Sequence, residues 1–302
     1  MIDIRAVQEN IFSGAHDAIW QAFPWHKGAA SPRSSQALAV SVFGTVAVHP
    51  SRQVLIDEAL RLMFGWDPQN DGEWRVNLER TLPTSLLHEP RPTQADVLLE
   101  SETGVVLLEC KFTEVGGGSC SQTKPLSSGK HKGLIQCDGN YRQQTNPVNG
   151  KTARCALFAK DIHYWKYIPR YFDLGKDKDY DPCPFAGSAY QYMRNVLAAA
   201  QLARQKGKPK EGQRAAFGLI YVEGGAFSMA NEVADPQSEW GQFAARLRSD
   251  APVAVQAVSY QRLLKAWCQC FPEDESLAGL AEWFAERVSN VERTLRPNVS
   301  VV

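Results

Sequence analysis

The chain has 302 residues, of which 44% are hydrophobic and 22% charged, and its basic and acidic side chains are equal in number. This composition is that of a globular protein and excludes a disordered, collagen-like or coiled-coil chain. Because the net charge is zero, any surface that binds nucleic acid must be a local patch. The longest apolar stretch, residues 36–48, is too short to cross a bilayer. The first ten residues lack a secretory signal and the seven cysteines are odd in number, so we expect a cytoplasmic protein with free or metal-bound thiols.

The first third of the chain is predicted to be helical. Ser34 or Ser35 can cap a helix over residues 36–46, and residues 51–64 form an amphipathic helix that ends at Gly65. Two strand-like runs follow, residues 93–100 and 105–112, and the sequence SETG between them indicates a hairpin.

The segment after the hairpin, residues 113–187, is rich in Gly, Ser, Lys, Cys and aromatic residues and has little periodicity, so we interpret it as an irregular insertion. Regular structure is predicted to resume beyond it, with a helix over 190–205, a buried strand over 215–223, a helix near 238–248, a strand near 253–260 and helices over 261–268 and 277–295. This order predicts an α/β fold with a mixed sheet flanked by helices. We expect one domain, made of N-terminal helices (1–50), a core (51–112 and 188–260), the insertion and C-terminal helices (261–302).

The hairpin has two different faces. If SETG closes it, Glu100 pairs with Val105, and Asp96 lies directly opposite Glu109. Because side chains alternate along a strand, one face is predicted to be apolar and to belong to the core. That face carries Ala95, Val97, Leu99, Val106, Leu108, Cys110 and Phe112.

The other face carries Asp96, Glu109 and Lys111. Directly opposed side chains lie about 4.5–5.5 Å apart at Cβ, and like charges there are destabilising. Asp96 and Glu109 therefore require a cation, and Mg²⁺ is commonly held by one or two carboxylates. Lys111 is placed to hold an attacking water or to stabilise the negative charge of a reacting phosphate. The pattern predicts a metal-assisted hydrolysis site with Asp96 and Glu109 as ligands; the alternative is a surface hairpin whose charges only face solvent.

Asp96 followed by Glu109-Cys110-Lys111 resembles the PD-(D/E)xK motif of the restriction-endonuclease-like nuclease superfamily, with Ala95 at the motif's proline position. The order of elements over residues 51–112 and 188–260 is similar as well. The resemblance implies the restriction-endonuclease-like fold and a Mg²⁺- or Mn²⁺-dependent endodeoxyribonuclease that hydrolyses DNA phosphodiester bonds. A single site of this kind needs a homodimer, or two successive cuts, to break a duplex. Two alternatives stay open: a catalytically silent nucleic-acid-binding module of the same fold, and a metal-dependent phosphohydrolase that acts on nucleotides.

The resemblance also implies supporting residues. Superfamily members commonly add a carboxylate from the helix before the hairpin, which here implies Glu58, at the edge of the apolar face of that helix. They also use a residue from the helix after the hairpin, which implies Gln191 as the group that orients the nucleophilic water, with Tyr190 or Arg194 meeting phosphate. Residues 141–144 are another source of a glutamine. Ordinary positions on amphipathic helices are the alternative for Glu58 and Gln191.

Two stretches of the chain are basic. Residues 120–172 contain nine Lys or Arg against two acidic residues, and residues 194–214 contain six against one. We expect these stretches to contact DNA phosphates, and the aromatic residues within 163–172 to stack on bases or sugars. A solvated set of loops is the alternative.

The insertion also contains four cysteines, which are candidate ligands for Zn²⁺ or an iron–sulfur cluster. Their spacing has no tight CxxC pair, so free thiols are the alternative. These residues are Cys120, Cys137, Cys155 and Cys183.

Overall fold

The structure, a computed structural model, describes residues 2–67, 72–175, 180–206 and 214–295. Three helices precede the sheet: α1 (Ile4–Glu9), α2 (Ser35–Val48) and α3 (Arg52–Phe64), with a 3₁₀ turn over Ser13–Ala18. Both predicted helix boundaries are confirmed. The Ser34 hydroxyl accepts a hydrogen bond from the backbone N–H of Ala37, and Gly65 ends α3 with a φ of 65°, which glycine adopts without steric cost.

The described residues contain seven strands, in chain order β1 (Arg75–Thr81), β2 (Gln94–Glu100), β3 (Gly104–Cys110), β4 (Gln144–Thr145), β5 (Thr152–Ala153), β6 (Arg214–Tyr221) and β7 (Ala254–Ser259). Five of them form one sheet in the order β1-β2-β3-β6-β7, while β4 and β5 pair separately. β2 is antiparallel to both β1 and β3, whereas β3, β6 and β7 are parallel. The predicted mixed sheet is confirmed, but the sequence analysis missed β1, whose residues RVNLERT are mostly polar.

The predicted register of the hairpin is confirmed, since Glu100 pairs with Val105 and Val97 pairs with Leu108. The turn requires a glycine because the ring of Trp74 packs against it. A Cβ at Gly104 would lie 2.1 Å from an atom of that ring, far closer than atoms can approach.

The remaining helices are α4 (Tyr164–Tyr171), α5 (Ala189–Gln205), α6 (Ser228–Ala234), α7 (Glu239–Ala245), α8 (Tyr260–Cys270) and α9 (Glu275–Leu295). Side chains of α2, α3, α8 and α9 pack on one face of the sheet and form a first core. Side chains of α4, α5 and α7 pack on the other face and form a second core. In the described part of the chain, no helix is long and apolar enough to span a membrane.

The structure buries both faces of the hairpin, not only the predicted one. Leu98, Val105 and Leu107 on the opposite face are also buried, because α5 covers it and forms the second core. Ala95 likewise packs in the second core rather than in the first. The pairing of β1 with β2 is interrupted next to Ala95, where Glu79 has a φ of +48°, and such a break in a ladder lets a strand re-aim its side chains.

Candidate active site at one edge of the sheet

The topology gathers the candidate site at one edge of the sheet. Because β1 and β3 lie on either side of the antiparallel β2, their carboxyl ends meet the amino end of β2 there. The helix α5 leads from this end of β3 back to the start of the parallel β6, so its first turns lie at the same edge. This arrangement brings together Glu79, Asp96, Glu109, Lys111 and Gln191.

The carboxylate of Glu109 is buried and held by three side chains. Its Oε1 accepts hydrogen bonds from Lys111 Nζ at 2.7 Å and from Gln191 Nε2 at 2.6 Å. Its Oε2 accepts a hydrogen bond from Asn195 Nδ2 at 2.9 Å. Gln191 and Asn195 are four residues apart and therefore share one face of α5, which is the face that meets β3. The sequence analysis missed Asn195, although its spacing from Gln191 is a signal that could have identified it.

Lys111 is fixed between two acceptors. Besides Glu109, its Nζ contacts Gln191 Oε1 at 3.3 Å, and that same oxygen accepts the backbone N–H of Gly118 at 2.9 Å. Burial alone would lower the pKa of Lys111, but the carboxylates of Glu109 and Asp96 outweigh this effect and raise it above its ordinary value. Lys111 therefore stays protonated and delivers a fixed positive charge to the site.

Asp96 lies on the strand next to Glu109, as predicted. Its Oδ2 accepts the backbone N–H of Cys110 at 2.8 Å, which ties it to the end of β3. Burial raises the pKa of Asp96 well above its ordinary value, and the nearby charges of Glu109 and Glu79 raise it further. The carboxylates are thus close enough to destabilise one another when all are ionised.

Glu79 is a third carboxylate that the sequence analysis missed. It lies on β1, is 8% exposed and has a φ of +48°, which is uncommon for a residue with a side chain. Burial raises its pKa to about 7, a side-chain hydrogen bond with Gln36 opposes the rise, and the charge of Glu109 adds to it. No local sequence signal marks this position, because its role depends on the break in pairing with β2.

The donor set fits a divalent cation. Three buried or half-buried carboxylates, Glu79, Asp96 and Glu109, share the single positive charge of Lys111, so further positive charge would stabilise the group. The Oδ1 atom of Asn195 is buried without a hydrogen-bond partner among the described residues, and an amide oxygen next to a carboxylate can also ligate a hard cation. Within the same residues, no three potential ligands already surround a common point. Glu109 is instead turned toward α5, which supplies two of its three donors.

The structure does not bring Glu58 to this group. Its carboxylate pairs with Arg61 on the same helix and interacts with Cys270 at the end of α8. The other glutamine source also lies elsewhere, since Gln144 donates to the backbone carbonyl of Asn140. Its position in the sequence showed only that Glu58 lies at one edge of the apolar face of α3. The packing of α3 against α8 decides where that edge lies.

The two candidates for phosphate contact on α5, Tyr190 and Arg194, are near the site and have different partners. Tyr190 is half-buried, and its hydroxyl lies 3.3 Å from the hydroxyl of Tyr164. Arg194 is also half-buried, and it interacts electrostatically with Tyr190.

Lys206 and Arg214 of the second basic stretch do not flank the site. Lys206 donates a hydrogen bond to the carbonyl of Ser101 in the hairpin turn, and Arg214 donates one to the carbonyl of Asp67. Both residues therefore lie at the turn end of the hairpin, about 15–20 Å along β3 from Glu109 at a rise of about 3.3 Å per residue. Lys208 and Lys210 lie outside the described residues.

The aromatic residues of 163–172 are used inside the protein rather than on a nucleic-acid surface. Tyr164 and Tyr171 are buried in the second core, and the ring of Trp165 stacks on that of Tyr141 with 3.6 Å between centroids. The prediction that this stretch offers rings to bases was wrong for these residues, because an aromatic pattern does not distinguish a packed helix from an open platform.

The family described as Restriction Endonuclease associating with ARP matches residues 5–287. The chain belongs to this family. The match spans the hairpin, the insertion and α5, so the expected membership in a restriction-endonuclease-like nuclease family is confirmed, as is the fold that it implies. Family membership indicates nuclease activity. No curated protein and no solved structure matches the chain.

Proposed function

We propose that this family member hydrolyses phosphodiester bonds in DNA with the help of Mg²⁺ or Mn²⁺. The observation that carries the proposal is the Lys111 ammonium held between Glu109 and Gln191 beside the carboxylate of Asp96. A buried positive charge fixed next to an excess of carboxylates suits a reaction in which negative charge develops on a phosphate.

Each residue has a distinct proposed role. Asp96 and Glu109 are the proposed ligands of the cation. When bound, this ion supplies positive charge at the attacked phosphate and makes a water molecule more acidic. Lys111 stabilises the developing negative charge, and Gln191 acts as a positioning residue, because it donates to Glu109 and accepts from Lys111.

The insertion supports DNA as the substrate. It begins after β3 and ends before α5, so both of its ends lie at the edge of the sheet that carries the site. Exposed basic side chains within it can contact phosphates without a net positive charge on the whole chain. These side chains include Lys124, Lys130, Lys132 and Lys151. A homodimer, in which two such sites cut opposite strands, is part of this proposal.

A cleavage assay tests the proposal. Purified protein is incubated with supercoiled, linear and single-stranded DNA, with RNA and with nucleotides, in Mg²⁺, Mn²⁺ or EDTA. We expect DNA cleavage in either cation and none in EDTA. Lys111→Met and Asp96→Asn should each lower the rate by about two to three orders of magnitude, because one such group is worth about 3–4 kcal/mol in a preorganised site.

Glu58→Gln is the matched control, since Glu58 is also a carboxylate but pairs with Arg61 instead of joining the site. It should cleave at the parental rate. Cleavage that survives EDTA, or that is unaffected in Lys111→Met, would overturn the proposal. Binding without cleavage would indicate a silent module, and turnover of nucleotides alone would indicate a phosphohydrolase.

A further inference from the structure

The four cysteines of the insertion meet at one cavity. Cys120, Cys137, Cys155 and Cys183 are up to 63 positions apart in the chain, yet all of them line it. None of the four is joined in a disulfide.

Backbone hydrogen bonds hold the loops that carry these cysteines together. The N–H of Cys120 donates to the carbonyl of Ala186 at 3.0 Å, three residues beyond Cys183. The N–H of Cys183 donates to the carbonyl of Gly139 at 2.8 Å, two residues beyond Cys137. For Cys120, Cys137 and Cys183, the convergence is therefore built into the path of the chain and does not depend on side-chain rotamers alone.

The described thiols are not arranged around the position of a single metal ion. Around a single Zn²⁺, four sulfurs lie about 2.3 Å from the ion and hence about 3.8 Å from one another. Among the described side chains, no three potential ligands have such an arrangement. Instead, the thiols line one small cavity.

We propose that Cys120, Cys137, Cys155 and Cys183 ligate an iron–sulfur cluster in this cavity. Four cysteine thiolates are the usual ligand set of such clusters. The surrounding walls are largely apolar, and they include Leu157, Trp165, Phe185 and Met193. Exclusion of water by such walls protects a cluster from hydrolysis and tunes its potential.

The cluster would also act as a staple next to the active site. Tyr190 and Met193 of α5 line the same cavity, while Gln191 between them points to Glu109. The described residues of the insertion form only short regular elements, so four metal–sulfur bonds would fix its path against the first turns of α5. This proposal does not depend on the substrate of the nuclease site.

Metal analysis of the whole chain tests the proposal. The protein is expressed in iron-supplemented cells, purified without oxygen, and assayed for iron, acid-labile sulfide and zinc. Visible absorption and electron paramagnetic resonance after reduction with dithionite are recorded on the same sample. We expect iron and sulfide in equal amounts, a broad sulfur-to-iron absorption band and a paramagnetic signal in the reduced protein.

Cys183→Ser and Cys137→Ser should each lose most of the iron, whereas Cys270→Ser, at an exposed position on α8, should retain it. The iron and sulfide content of the parental protein tests the proposal even if a variant fails to fold. One zinc per chain without sulfide would overturn the cluster in favour of a single-ion site. Absence of both metals from the anaerobically purified parent, or iron that survives in Cys183→Ser and Cys137→Ser alike, would overturn the proposal altogether.

Discussion

The buried carboxylate of Glu79 should make the stability of the metal-free protein fall as the pH rises. Its pKa in the folded chain is about 7, against an ordinary value of 4.5. Between these values the folded state keeps a proton that the unfolded state has lost, so the free energy of unfolding decreases with pH across this window. At about 1.36 kcal/mol per pKa unit, the full penalty above pH 7 is on the order of 3 kcal/mol.

Glu79→Gln removes this penalty and keeps the shape of the side chain. The variant and the parent should be about equally stable near pH 4.5, and the variant should be more stable by on the order of 3 kcal/mol at pH 8. Removal of the Glu79 charge also lessens the repulsion on Asp96, which adds a contribution of the same sign. Urea unfolding in EDTA, followed by circular dichroism at several pH values, measures the difference.

The control is Glu286→Gln on the exposed side of α9, which should shift stability little at any pH. Added Mg²⁺ should narrow the difference between Glu79→Gln and the parent at pH 8, because a cation near the carboxylates favours their ionised form. A difference between variant and parent that stays constant from pH 4.5 to 8 in EDTA would refute the reasoning, since it would mean that Glu79 titrates alike in both states.

Three further changes test other parts of the structure. Asn195→Leu removes the donor to Glu109 Oε2 and should lower kcat for DNA cleavage by about 10- to 100-fold; an unchanged kcat would show that this hydrogen bond is dispensable. Arg287→Ala removes the three hydrogen bonds of a buried guanidinium and should lower the free energy of unfolding in urea by about 2–3 kcal/mol. A loss within 0.5 kcal/mol, roughly the scatter of surface changes, would contradict this. Replacement of three exposed lysines of the insertion by alanine should weaken DNA binding and flatten its salt dependence, as measured by fluorescence anisotropy in EDTA. Lys206→Ala is the control and should bind DNA as the parent does. The opposite result would place the DNA-binding surface at the turn end of the hairpin. The three lysines are Lys124, Lys130 and Lys132.

Sequence by itself determined the local features that carry the site. The alternation of side chains and the SETG turn specified the register of the hairpin, because a slip by one residue would exchange its two faces. That register placed Asp96 on the strand beside Glu109 and Lys111. The serine at position 34 and the glycine at position 65 likewise specified helix ends, since caps depend on neighbouring backbone groups alone.

Tertiary structure decided which distant groups join the hairpin. Glu79 enters the site and Glu58 does not, because the break between β1 and β2 and the packing of α3 on α8 orient these carboxylates. The opposite face of the hairpin is buried rather than solvent-exposed, because α5 lies on it and supplies Gln191 and Asn195. Tertiary structure also decided that the four cysteines converge. Their spacing along the chain carries no signal, since loop contacts between residues far apart in sequence bring them together.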